Sequence, residues 1–150
     1  MLSIALQNVA AVSLDESLIV KAAEHAYQET TNKPAECTIR VVGRDEGHEL
    51  NLTFRQKDKA TNVLSFSYDD NDPESDEDYL GDIVLCSPVI EAEADEQGKP
   101  LEHHYAHLVV HGILHLCGYD HEKTAEAQKM EQLEIKILAK LNINNPYLNA

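Results

Sequence analysis

At 150 residues the chain is long enough for one domain whose core needs no disulfide or other staple. Its 27 acidic against 12 basic residues leave a net charge of −15, which argues against any general attraction to nucleic acid, itself a polyanion. Trp is absent and aromatics make up 5% of the chain, so a base-stacking platform is not expected as the main binding device, and no stretch approaches the roughly 20 apolar residues of a membrane span.

The opening MLSIALQ (1–7) and ECTIRVV (36–42) run apolar or alternate with β-branched residues and predict strands. Between them, 14–30 carries apolar residues at helical spacing, with Ser13 or Asp15 as its N-cap. Strand, helix, strand in that order predicts a crossover and parallel pairing. Residues 44–57 form a short helix, acidic in its first turn and basic in its last. TNVLSFSY (61–68) and YLGDIVLCS (79–87) predict two more strands, joined by an acidic, Pro73-containing loop expected to be exposed and mobile. Pro88 suits the first turn of a helix over 87–97, and Gly98 and Pro100 then interrupt the chain. Residues 101–117 are apolar on several faces and predict a largely buried helix, ended by Gly118 in the left-handed position. A last amphipathic helix over 122–141 puts Met130, Leu133, Ile137 and Leu141 on one stripe. The resulting fold class is α+β: a single domain over 1–150, with a small mixed sheet of about four strands packed with about five helices.

The N-terminus has no basic run before an apolar one, so no signal peptide is expected. Three cysteines, Cys37, Cys86 and Cys117, lack paired spacing and suit a reducing cytosol. A cytoplasmic location follows as the expectation. The charge is unevenly spread: Asp69 to Asp78 and Glu91 to Glu96 are acidic runs, whereas Arg40, Arg44, Arg55, Lys57 and Lys59 gather in one interval. Local field matters more to a ligand than the total does.

HGILHLCGYDH (111–121) carries the strongest chemical signal. His111 and His115 are four apart and share one helix face. Gly118 permits a sharp turn, and His121 three residues later returns a third imidazole. Three nitrogens with an open fourth position suit a catalytic zinc, which acidifies a bound water. The whole pattern H-x-x-x-H-x-x-G-x-x-H arises by chance in about one in a thousand sequences of this composition. His103, His104 and His107 read as surface residues or as supports behind the ligands. Cys117 lies roughly 200° from His115 and reads as core. Asp120 reads as an orienting carboxylate or a turn residue. The pattern matches the metzincin protease motif except that Gly112 stands where that motif has its general-base Glu, which disfavours a peptidase.

HLVVHGILHLCGYDH (107–121) resembles the signature of the YbeY family, bacterial metal-dependent endoribonucleases that serve as ribosomal RNA maturation factors. ELNLTFRQKDKATNVLSF (49–66) and LGDIVLCS (80–87) agree in order and spacing. The resemblance implies one zinc per chain, with nickel as a substitute, held by His111, His115 and His121 at the end of the central buried helix. It makes Arg55 the functional arginine. It further implies single-stranded RNA as substrate, in 16S ribosomal RNA 3′-end maturation and ribosome quality control. Its implied partners are ribosomal RNA and the small ribosomal subunit or its assembly factors, with neither a membrane nor DNA. Ala60 and Ser67 stand where the family usually has proline, and Cys117 where it usually has leucine. The residues themselves fit a phosphodiester: a guanidinium grips a phosphate in two places and stabilises charge developing on phosphorus. Alone, Arg55 and Lys57 would read as the basic last turn of a helix. Asp82 reads as a buried hydrogen-bond anchor or a support behind the metal site, and no general base stands out. A non-catalytic ribosome-assembly factor with a structural metal is the competing reading, and a metallopeptidase the weaker third.

Overall fold

The first strand, β1 (Leu2–Asn8), and the second, β2 (Ala35–Val42), lie side by side and parallel, because α1 (Glu16–Gln28) carries the chain back between them. Asp15 rather than Ser13 caps α1, its carboxylate accepting the Leu18 N–H at 3.1 Å. In the computed structural model, which describes residues 2–67, 78–119 and 123–147, the chain continues through α2 (Arg44–Arg55), β3 (Val63–Ser67) and β4 (Asp78–Cys86). It ends with α3 (Ser87–Gln97), α4 (Leu101–Leu116) and α5 (Thr124–Lys140). The expected acidic loop over 69–77 and the expected ligands' neighbour Asp120 lie outside the described residues.

Side-chain alternation fixes the layering. Cys37, Ile39 and Val41 of β2 and Ile83 and Leu85 of β4 are buried on one face, against Ala22, Ala23 and Ala26 of α1, Val109 and Ile113 of α4, and Met130 and Ile137 of α5. Val42, Val84 and Cys86 turn to the other face and form a smaller cluster with Leu64, under Leu50 of α2. Strands covered on both faces belong in the middle of a sheet. The order is accordingly β1-β2-β4-β3, with β2 and β4 parallel in the centre and β3 antiparallel at one edge. The sheet is mixed and the class is α+β, with four strands and five helices among the described residues, as the sequence implies. No described helix is long and apolar enough to cross a membrane.

Two features set where the functional cleft lies. Gly112 lets α4 press onto the sheet: a Cβ there would stand 3.0 Å from the Ile83 Cδ1 and 3.3 Å from the Ser65 hydroxyl. Two residues before Ile83, Gly81 (φ 149°) sits where a Cβ would fall 2.3 Å from the Phe66 carbonyl oxygen, and beside it the β4 register skips Leu80 opposite Glu36 and Cys37. That irregularity leaves Tyr79 and Leu80 at the mouth of the same cleft.

Candidate active site

The last two turns of α4 carry His111, half-buried, and His115, exposed. Gly118 (φ 101°) takes the left-handed position just past the helix, where its N–H donates to the His115 carbonyl at 3.0 Å and that of Tyr119 to Leu114 at 3.1 Å. The turn expected from the sequence is therefore present. His121, which should follow it, lies outside the described residues. Among the described residues no three His, Cys, Asp or Glu side chains are grouped to hold an ion.

Behind His111 stands a residue that sequence reading missed. Glu134 of α5 is fully buried, and its two oxygens accept from His111 Nδ1 at 2.9 Å and from the Tyr147 hydroxyl at 2.5 Å. His107 Nε2 lies 3.4 Å from the same carboxylate and 3.3 Å from the Tyr147 oxygen. Burial alone would push this carboxyl up, but the bonds from His107, His111 and Tyr147 outweigh it and hold Glu134 down at about 2. An ionised carboxylate only accepts, so in the His111–Glu134 bond the hydrogen is on His111 Nδ1. A carboxylate behind a metal-binding imidazole is the usual way its tautomer and ring angle are set. Burial and the Glu134 contact push the Tyr147 phenol up, which keeps it a donor.

Arg55 comes from the opposite face of the sheet. It ends α2, where Gln56 in the left-handed region (φ 59°) stops the helix, its N–H donating to Leu52 and that of Lys57 to Asn51. An edge strand leaves carbonyls without a ladder partner, and Arg55 Nη2 donates to that of Ser65 on β3 at 2.6 Å. Its guanidinium carbon lies 5.6 Å from the centre of the Phe66 ring. One cleft at this sheet edge is lined by Arg55, Ser65, Phe66, Tyr79 and His115 together. The guanidinium is thus oriented from behind while most of its five N–H donors remain for a ligand.

Other expectations fare unevenly. His107 does stand behind His111, through Glu134. His104 is not a surface residue: it is buried, and its Nε2 contacts Glu93 at 3.0 Å, because α4 is apolar on so many faces that this position turns inward. Burial pushes its imidazole down, so it is the neutral ring that donates. Cys117 packs partly buried against the core and receives the Thr30 hydroxyl at 3.4 Å. Asp82 is a half-buried anchor that accepts from Tyr79, whose hydroxyl also meets Thr38. The basic interval is smaller than it reads along the chain, since Arg40 is engaged by Glu46 at 2.6 Å and by Gln7 at 3.0 Å.

The fold and the cleft define a class: an α+β protein that faces a carboxylate-backed histidine helix with an arginine across a sheet edge. The family model described as Endoribonuclease YbeY matches residues 6–142. A curated protein named Endoribonuclease YbeY from Nitrosomonas eutropha is 57% identical over 78% of this chain and 79% of its own. One of the same name from Stutzerimonas stutzeri is 58% identical over 75% of this chain and 71% of its own. The solution structure of TM1509 from Thermotoga maritima superposes with a TM-score of 0.59, at 28% identity, over 95% of this chain and 92% of that one. The chain belongs to the YbeY endoribonuclease family.

Proposed function

We propose that residues 1–150 work as one metal-dependent hydrolase domain that cleaves phosphodiester bonds of single-stranded RNA in ribosomal RNA processing. Relatives named endoribonuclease support the reaction class. The observation that carries the reading is the shared cleft of Arg55 and His115, with His111 bonded through Nδ1 to the buried Glu134 carboxylate. His111, His115 and His121 would hold one zinc, or nickel in its place. When bound, such an ion supplies Lewis acidity and acidifies water at neutral pH.

The chain's own groups do the rest. Arg55 grips the non-bridging oxygens of the scissile phosphate and stabilises the charge that grows on them as water adds and the ribose oxygen leaves. Its bond to Ser65 restricts the guanidinium before substrate arrives, so less ordering is needed at the transition state. Glu134 and Tyr147 keep His111 from rotating or shifting its proton. The reading extends to 16S ribosomal RNA 3′-end maturation and ribosome quality control in the cytoplasm, with the small ribosomal subunit or its assembly factors as targeting partners. A chain this acidic has little general attraction for naked RNA, which is why targeting is assigned to a partner.

The test is a cleavage assay on matched single-stranded and duplex oligoribonucleotides, with chelator and then with zinc restored. Cleavage of the single strand that chelator abolishes and zinc rescues is the expected result. Binding of RNA with no cleavage at any metal loading would leave the assembly-factor reading in its place.

A further inference from the structure

Phe54 has no evident structural reason to be where it is. It extends the inward stripe of α2, three residues after Asn51 and seven after Gly47, both of which are buried against the sheet. Yet Phe54 is 60% exposed, the most exposed large apolar side chain among the described residues. The last turn of α2 meets the edge strand β3, beyond which no further strand lies among the described residues. Among the described residues the Phe66 ring meets it edge to face, with ring centres 5.3 Å apart and an interplanar angle of 66°. That contact holds the ring and leaves the rest of it in the cleft lined by Arg55 and His115.

A protein partner is the less suitable occupant. The other exposed apolar residue of α2 is Leu52. Two residues apart on a helix is roughly 200°, so Leu52 and Phe54 do not form one patch. An unpaired nucleobase fits better. Arg55 is the next residue along the chain, with its Cα about 3.8 Å away. Along RNA, too, phosphates alternate with bases, so a phosphate on Arg55 brings a neighbouring base to the neighbouring ring. Stacking on an aromatic ring needs an exposed base face, which a duplex keeps covered, and it accepts any base because each has a π-face.

We propose that Phe54 is a stacking subsite for an unpaired base beside the phosphate gripped by Arg55, and that it supplies single-strand preference without base preference. This rests on the endoribonuclease reading of the cleft.

Phe54→Ala, Phe54→Leu and Phe54→Trp separate stacking from mere apolar contact. Two measurements apply to each: KM and kcat on a single-stranded oligoribonucleotide, and the fluorescence quenching and Kd of the same oligonucleotide carrying 2-aminopurine. The Ala and Leu variants should raise KM and Kd by about 5- to 160-fold, the range one base–aromatic stack covers, and lose the quenching. The Trp variant should restore both. Thermal unfolding of the Leu variant, which keeps apolar bulk against Phe66, checks the fold. Wild-type Kd in the Leu variant overturns the stack in favour of apolar contact, and wild-type Kd in the Ala variant removes RNA from this ring and assigns it to a protein partner. A wild-type protein that binds and quenches the probe but cleaves no RNA strikes the catalytic reading and leaves the subsite standing.

Discussion

Glu134→Gln keeps the side chain's shape and removes its charge at a position with no access to solvent. In the native protein its two oxygens receive His111 Nδ1–H at 2.9 Å and the Tyr147 O–H at 2.5 Å. A glutamine has one oxygen for these two donors. If that oxygen faces His111, Tyr147 must turn its hydrogen away; if it faces Tyr147, the amide hydrogens confront Nδ1 and favour the tautomer protonated on Nε2, which leaves Nε2 no lone pair to offer a metal. Each bond to a charged group contributes about 1.5–3 kcal/mol, so the fold should lose roughly that amount. Removing such a supporting carboxylate typically weakens metal binding by about 10- to 100-fold. Zinc Kd by competition with a chromophoric chelator, with urea unfolding of the metal-free protein, measures both. Tyr147→Phe spares the His111 bond and should weaken zinc less. A glutamine variant with wild-type zinc affinity would show that Glu134 does not set the state of His111.

Gly112→Glu, which restores the metzincin pattern, should cost more than about 3 kcal/mol, since even a Cβ meets Ile83 at 3.0 Å and a carboxylate would be buried there as well; a wild-type urea midpoint would contradict the packing. Gln56→Gly relieves a left-handed non-glycine residue (φ 59°) and should stabilise by about 0.5–1 kcal/mol, the strain of roughly 1–2 kcal/mol less glycine's entropy cost. An unchanged or lower thermal midpoint would count against strain at that cap. Arg55→Ala should retain metal and fold but lose about 100- to 1,000-fold in kcat on RNA, and Arg55→Lys should recover little of it because a point charge does not replace the fork. Full activity in the lysine variant would remove the proposed phosphate grip.

The order of elements was legible because each has its own local signal: alternation in β2, helical spacing in α1, Pro88 opening α3 and Gly118 closing α4. The shared helix face of His111 and His115 was legible from their spacing, whereas Arg55 was singled out by the resemblance of its segment, since alone it reads as the basic last turn of a helix. Glu134 was hidden because its partners His111 and Tyr147 lie 23 and 13 residues away, on elements that meet only in the fold. A trace was there: a charged residue four after Met130 and three before Ile137 interrupts an apolar stripe, and charge inside such a stripe is seldom without a partner. His104 was misplaced for the same reason, its partner Glu93 being on α3. The basic interval misled because sequence proximity says nothing of Glu46 closing on Arg40.

The most direct test of a metal held beside Arg55 is anomalous diffraction at the zinc edge from crystals of the zinc-loaded wild-type protein. The predicted result is one peak per chain at about 2.0–2.1 Å from His111 Nε2 and from a ring nitrogen of each of His115 and His121, with no fourth protein ligand and with the open side toward Arg55. A fully occupied peak away from His111, or one closed by a fourth side chain, would contradict it.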